Sequence, residues 1–368
     1  MKKTRVIILC GGRSAEHEIS LLSARNVLQA LDRERFEPVV VGIDKLGHWR
    51  QESTRTLEAA TGDPRNVALD ARASAVTIEQ GLSLVDRPGE PLTSDDVVFP
   101  VLHGTYGEDG TVQGLLELAG VAYVGAGVLG SAVGMDKDVA KRLLRDAGIP
   151  IVDFHVVTAG SMRAGVAAAL APAHALGFPM FVKPANAGSS VGVSRVREPG
   201  ALEAAVRAAL AFDRKVLIER GVDAREIECA VLGNDEPRAS IPGEIILSHA
   251  SGFYSYEAKY VDPNASTWKI PADLSPALAA RVQELAVETF RALDLAGMAR
   301  VDFFLDRGTG ALYVNEVNTL PGFTAVSMYP KMWEASGLAP TALITRLIEL
   351  AIERRDARRA LATNVTHP

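Results

Sequence analysis

The chain has 368 residues, 48% hydrophobic and 23% charged, enough for two or three domains with sizeable cores. Its net charge of -6 argues against nucleic acid or an anionic membrane as the main partner. Its two cysteines, Cys10 and Cys229, sit in apolar runs and read as buried free thiols of a reducing compartment, and no Cys/His spacing of the zinc type occurs.

From the N-terminus, Met1-Lys-Lys has the look of a signal peptide, but the apolar run Val6 to Leu9 is too short and glycines and charges follow at once. No apolar stretch approaches the roughly 18 residues of a membrane span. The expectation is a soluble cytoplasmic enzyme. Val6 to Cys10 reads as a parallel strand covered on both faces. Gly11, Gly12, Arg13 and Ser14 form the turn, and Leu21, Leu22, Val27, Leu28 and Leu31 mark a helix. Val39 to Ile43 completes a βαβ start whose glycine turn lies where open α/β sheets bind ligands. The turn is not G-x-G-x-x-G, so no dinucleotide is assigned to it. Residues 50–80 lack periodicity apart from a strand candidate at Ala75 to Ile78, and read as a variable insertion. Val97 to Leu102 is a buried strand, and Asp109 to Gly120 a short helix.

A second unit begins near residue 126. It holds a helix over Asp136 to Ala147, strands Phe178 to Lys183 and Val191 to Val196, an alanine-rich helix Leu202 to Phe212, and a strand Val216 to Glu219. A third unit holds the strand Glu226 to Leu232, helices Ser275 to Leu293 and Pro340 to Arg355, and a tail expected to fray after about residue 355. The polar stretch Leu247 to Trp268 reads as a long functional loop.

The chemistry-bearing residues concentrate in a few places. Gly297 to Asp306 and Leu312 to Asn318 read as an antiparallel hairpin. Residues two apart on a strand share a face, so Arg300 and Asp302 point with Glu316 and Asn318. Oxygen ligands with open positions suit Mg²⁺ held along with substrate phosphates, the alternative being a solvated face with a surface ion pair. Between two strands, Lys183-Pro-Ala-Asn-Ala-Gly188-Ser189-Ser190 is either a phosphate-cradling loop with a point charge at its root or an ordinary hairpin connection. Lys137 opens a helix, where a cation opposes the dipole unless an anion is near. Glu219 and Glu226 end and begin strands; they are candidates for adenine and ribose, or solvated strand ends. Glu16 is a candidate for a substrate ammonium or a balance for the helix dipole, and His103 sits at the ligand end of its strand.

Five motifs in succession resemble the D-alanine–D-alanine ligases of the ATP-grasp superfamily. They are Gly11 to Ser20, His103-Gly-Thr-Tyr-Gly-Glu-Asp-Gly110, Lys183-Pro to Gly192, Tyr256-Glu-Ala-Lys-Tyr260 and Glu316-Val-Asn-Thr-Leu-Pro-Gly322. The resemblance runs from Val6 to about Glu353 and is weakest over residues 45–95; where the family often carries Ser-Arg-Glu-Gly, this chain has Ala185-Asn-Ala-Gly188. It implies an open parallel α/β N-terminal domain (1–125) and two α+β ATP-grasp subdomains (126–218 and 219–368) that clasp ATP. By position, Lys137, Lys183 and Lys259 meet ATP phosphates and the transferred phosphate, and Glu219 and Glu226 hold adenine and ribose. Asp302, Glu316 and Asn318 bind two Mg²⁺, with Mn²⁺ as a substitute. Glu16, Ser189 and Tyr260 form a network at the first D-alanine, Arg300 and the Gly322 N–H face the oxyanion, and His103 and Ser327 belong to the second D-alanine. Peptidoglycan precursor synthesis in the cytoplasm by a homodimer is implied too. The loop Leu247 to Trp268 is expected to close as a lid. A D-alanine–D-lactate or D-alanine–D-serine ligase is the near rival, against which Tyr260 argues. A non-catalytic ATP-binding module is disfavoured because the metal and oxyanion residues are all present.

Overall fold

The computed structural model describes residues 3–14, 16–59, 64, 67–70, 73, 74, 76, 92, 93, 95–247 and 266–361. Three sheets follow one another along the chain. The first holds β1 (Thr4–Gly11), β2 (Phe36–Ile43), β3 (Trp49–Glu52), β4 (Val97–Leu102) and β5 (Ala122–Tyr123), in the order β3-β2-β1-β4-β5. β1 pairs in parallel with β2 and β4, and β4 with β5; β3 is an antiparallel edge. Val6 to Cys10 are buried on both faces, as the continuous apolar run requires. Gly11 ends β1 at φ +87°, and a Cβ there would lie 2.3 Å from the Ile43 carbonyl oxygen, so no other residue makes this turn.

Helices α1 (His17–Ala30), α2 (Thr54–Ala59) and α3 (Thr111–Leu118) belong to this unit. The segment read as an insertion is therefore structured at its start: β3 and α2 occupy residues 49–59, tied by pairing to β2 and by buried Leu57. Their short, mixed sequences carry no periodicity of their own. Of the strand candidate Ala75 to Ile78, all but Val76 lies outside the described residues.

Helices α4 (Val128–Met135) and α5 (Lys137–Asp146) lead to the second sheet. It holds β6 (Phe154–Thr158), β7 (Met180–Pro184), β8 (Ser194–Val196) and β9 (Lys215–Arg220), all antiparallel, in the order β6-β9-β7-β8. Helices α6 (Ala159–Ala164), α7 (Val166–Leu170) and α8 (Leu202–Ala209) accompany it, and its apolar core draws only on residues 157–218. The third sheet holds β10 (Ala224–Gly233), β11 (Arg238–Ala239), β12 (Gly243–Leu247), β13 (Ser266–Lys269), β14 (Gly297–Asp306) and β15 (Leu312–Asn318). One face packs on α9 (Pro276–Ala292) through Val282, Leu285, Phe290, Val301 and Phe303. Helices α10 (Met328–Ala335) and α11 (Pro340–Arg359) share a core with β1 and β4, including Ile8, Phe99, Tyr329 and Leu347.

The fraying expected after about residue 355 does not begin there, and residues 362–368 lie outside the described residues. α11 runs to Arg359, because Arg354 donates to the carbonyls of Tyr123 and Gly125 and Arg359 to that of Gly120. Among the described residues no single helix is long and apolar enough to cross a membrane.

Asp136 is one of several residues that tie α5 to the second sheet. Asp136 caps α5, accepting from the N–H groups of Asp138 and Val139 at 3.1 Å each. Both its oxygens also take the Lys215 ammonium at 2.7 Å, and one takes the Asn186 amide at 3.3 Å. Burial alone would raise its pKa; the Lys215 contacts and the helix N–H groups outweigh that and hold it below the ordinary aspartate range. A depressed carboxylate stabilises the fold above its unfolded value, and that contribution is lost as pH falls through the folded value. Asp136→Asn keeps the cap and removes the charge, and is expected to cost about 1–2 kcal/mol at neutral pH. In urea titrations the gap to the parent should close as pH drops below about 3.9. A gap that stays constant there would assign the effect to shape and not to charge.

Candidate active site

β14 and β15 pair antiparallel with Arg300 opposite Asn318 and Asp302 opposite Glu316, and a bulge follows Asp302. The expected face therefore forms, and its reverse carries Val301, Phe303 and Val317 into the α9 core. Arg300 forks onto Asp302, both N···O distances being 2.7 Å. Glu316 lies 3.3 Å from the Lys137 ammonium. The Asn318 amide oxygen accepts from the Leu320 N–H at 3.1 Å. Among the described residues no group of three or more His, Cys, Asp or Glu side chains is arranged as a metal cage. Two carboxylates and one amide oxygen are hard donors too few to enclose a cation. They fit one that keeps positions for water and phosphate, as Mg²⁺ does.

The lysines reach this face from α5 and from the second sheet. Lys137 opens α5, and its ammonium donates to the Ala187 carbonyl at 2.9 Å as well as pairing with Glu316. The anion that position demanded is thus Glu316. Lys183, on β7, contacts Asn315 at 3.3 Å and Glu219 at 2.7 Å. The Glu219 carboxylate is 2% exposed and turned inward between Lys183 and Lys141, so it is not a solvated strand end. Burial would raise its pKa; the two lysines win and hold it low. The loop after Lys183 bends sharply. Ser189 and Ser190 take φ of +48° and +59°, a left-handed pair of the kind that concentrates at functional sites. Gly192 turns back at φ +72°, where a Cβ would lie 2.9 Å from Pro184.

A second group closes the far end. Ser189 donates a short hydrogen bond to Glu16 across 173 residues of sequence. Methyl groups built on Gly188 and Gly104 would lie 3.1 and 3.3 Å from the same carboxylate. A Cβ on Gly322 would meet the Ser327 hydroxyl at 2.9 Å and the His103 ring at 3.9 Å, so those three residues converge. Ser327 precedes α10 and accepts from the Thr324 N–H at 2.9 Å. His103 is buried 3.6 Å from buried Glu108. Burial would lower the imidazole pKa; Glu108 and Glu16 outweigh it and raise it. A mainly apolar cavity of about 580 Å³ opens beside His103 and Gly12, lined also by Trp49 and Tyr106, and touches none of the lysines or metal-face residues.

Glu226 lies on β10 across from Phe304, on the face that carries Asp302. Tyr256, Lys259 and Tyr260, and most of the loop Leu247 to Trp268, lie outside the described residues. Two site residues were missed in the sequence. Glu228 sits opposite Asp302 with its carboxylate 3.2 Å from Arg300, and the two-residue step from Glu226 was a signal for it. Lys141 stands four residues after Lys137 on α5, and nothing local marked it.

The comparisons with known proteins fit this geometry. A family model described as the D-ala D-ala ligase N-terminus matches residues 5–126, and one described as the D-ala D-ala ligase C-terminus matches residues 143–349. The D-alanine–D-alanine ligase A of Escherichia coli K12 is 48% identical over 369 residues, covering 99% of this chain and 100% of its own. The D-alanine–D-alanine ligase of Thermoanaerobacter sp. X514 is 48% identical over 97% of this chain and 99% of its own. Among solved structures, the D-alanine–D-alanine ligase of Coxiella burnetii superposes with a TM-score of 0.83 at 39% identity, covering 98% of this chain and 97% of its own. The VanG D-Ala:D-Ser ligase of Enterococcus faecalis gives 0.80 at 34% identity, over 95% and 100%. The chain belongs to the D-alanine–D-alanine ligase family and has its ATP-grasp fold.

Proposed function

We propose that this protein joins two D-alanines into D-alanyl-D-alanine with ATP, releasing ADP and phosphate, as a step of peptidoglycan precursor synthesis. The observation that carries the reading is the convergence of Lys137 and Lys183 on the face of Asp302, Glu316 and Arg300, with Glu16, Ser189, Gly322 and Ser327 beyond it. The D-serine ligase among the structural neighbours is 34% identical, against 48% for the Escherichia coli D-alanine enzyme, 39% for the Coxiella burnetii one and 32% for the D-alanyl-alanine synthetase A of Vibrio cholerae.

In this reading a carboxylate oxygen of the first D-alanine attacks the γ-phosphoryl group of ATP. ADP leaves and an acyl phosphate forms. Lys137 and Lys183 hold the phosphates, and Lys259 neighbours the transferred group. Positioning and charge neutralisation supply most of the catalysis in such a step. Asp302, Glu316 and Asn318 would hold divalent cations, two Mg²⁺ in our reading, which neutralise the phosphate charge. Glu16 receives the ammonium of the first D-alanine, and Ser189 and Tyr260 fix that carboxylate. Glu219 and Glu226 serve adenine and ribose. A carboxylate has about four lone-pair sites, so Glu219 retains acceptor capacity beside its two lysines. The amine of the second D-alanine, placed by Ser327 and His103, then attacks the acyl carbon. Arg300 and the Gly322 N–H stabilise the oxyanion, a task in which losing one donor typically costs on the order of 10²–10³ in rate. Phosphate leaves as the amide forms.

We further propose three units, with the last boundary in the turn between β9 and β10, since β9 runs to Arg220. A cytoplasmic homodimer completes the reading.

The purified protein should release phosphate from ATP when given D-alanine and Mg²⁺, and yield the D,D-dipeptide. Turnover with L-alanine, or with D-serine or D-lactate in preference to D-alanine, would overturn the assignment. Glu316→Gln removes charge from the metal face without changing shape. It should lower kcat by more than about tenfold, roughly 1.4 kcal/mol, with little change in melting temperature. A variant that keeps near-parental kcat would remove Glu316 from the metal set. Tyr260→Phe should shift products toward D-alanyl-D-lactate when both acceptors are offered near neutral pH; an unchanged ratio would count against its role in acceptor choice.

A further inference from the structure

Lys141 is 1% exposed and lies in α5, one turn beyond Lys137. Buried lysines are rare unless paired. Among the described residues its ion pair is with Glu219, at 3.2 Å, without hydrogen-bond alignment. The other Glu219 oxygen takes Lys183 at 2.7 Å. One carboxylate is thus shared by two ammonium groups, and the trio carries a net charge of +1 in a dry site. Such an excess is unfavourable in a resting core, and burial pushes the Lys141 ammonium down from the ordinary lysine range, with Glu219 acting in the opposite direction. Lys183 also reaches β15, through Asn315 beside Glu316 at 3.3 Å.

We propose that Lys141 is a positioning residue for the nucleotide: by sharing Glu219 with Lys183, it leaves the Lys183 ammonium with charge uncommitted and available to a phosphate. With Lys141 gone, Lys183 and Glu219 form a closed neutral pair. The ammonium then has to give up its ion pair with Glu219 to meet a phosphate. The inference rests on the proposed contact between Lys183 and ATP, and adds to it a group that touches no substrate.

The test is a double-mutant cycle on the full-length protein, read by calorimetric titration with ATP and, separately, with adenosine. Lys141→Met should weaken ATP binding by about tenfold or more, equivalent to about 1.4 kcal/mol, and leave adenosine within about twofold. The KM for ATP should rise while that for D-alanine stays near the parent's. In a Lys183→Met background, Lys141→Met should add little. Lys141→Arg, which keeps the charge, should recover part of the loss. If loss of the Lys141 contact to the buried Glu219 oxygen prevents Lys141→Met from folding, Lys141→Gln carries the test, since it keeps a donor to Glu219 but no charge. ATP affinity within about twofold of the parent in a folded Lys141→Met or Lys141→Gln would overturn the proposal. So would equal losses for ATP and adenosine, or additive losses in the double variant. If Lys183→Met weakens ATP and the Lys141 variants do not, this inference alone fails. If Lys183→Met leaves ATP affinity intact, the phosphate role of Lys183 fails and this inference fails with it.

Discussion

The pairing register of β14 and β15 is the constraint on which the site depends. Side chains alternate along a strand, so a slip of one residue would send Asp302 and Glu316 into the core beneath α9 and bring Val301 and Val317 to the surface. Burying those two carboxylates unpaired would cost far more than any gain in pairing. The apolar reverse face, with Val301, Phe303 and Val314 fully or almost fully buried, therefore fixes where the charges point. The bulge after Asp302 changes the register toward the turn and leaves the two opposed pairs, Arg300 with Asn318 and Asp302 with Glu316, on the working side. β10 extends the same face, and Glu228 arrives there opposite Asp302 by the same alternation.

The charges around the site are partnered, though not one to one. Arg300 occupies Asp302 and lies close to Glu228; Lys137 occupies Glu316; Lys183 and Lys141 occupy Glu219. Breaking a buried pair by removing one partner is costly, because it strands the other charge. Exchange of partners is a different matter. Arg300 and Lys137 hold the oxygens that a divalent cation would take, and each is freed to the extent that its carboxylate finds another positive partner. The two cations freed are those whose proposed tasks are the oxyanion and the phosphates. Glu228 keeps a carboxylate beside Arg300 whatever Asp302 does, so the guanidinium is never left without a counter-charge.

How far the sequence disclosed this follows from the range of the interactions. Local periodicity was enough for the hairpin, its face, the βαβ start and the helix that Lys137 opens. It was enough to put Arg300, Asp302, Glu316 and Asn318 together, because a two-residue step on adjacent strands is a short-range rule. It did not disclose Lys141. Two lysines four apart on a helix repel, and read locally they mark a solvated face. What reverses that reading is Glu219, 78 residues on by the numbering of the two residues, delivered by a strand of another element. β3 and α2 escaped for a similar reason: their order comes from the edge of β2 and a core they did not build. The end of α11 was misjudged because its last turns look like a charged tail. The carbonyls that Arg354 and Arg359 cap belong to the segment 120–125, 229 to 239 residues earlier in the chain.

The three sheets are not joined in the same way. α10 and α11 share one apolar core with the first sheet, and α5 packs its apolar side into the core of the third through Ala140 and Leu144. The second sheet keeps a core to itself. Side-chain contacts that join it to its neighbours around the site include polar ones: Lys183 to Asn315, Ser189 to Glu16, Lys141 to Glu219, and Asn186 and Lys215 to Asp136. An apolar joint is held by buried area and is indifferent to charge. A joint of ion pairs and hydrogen bonds responds to whatever charge is brought to it, since each contact can be traded for one with the newcomer. The loop proposed to hold phosphate thus rides on a sheet whose polar hold on the rest passes through groups proposed to meet ATP and D-alanine. The position of that sheet and the occupancy of the site are linked by the same few side chains.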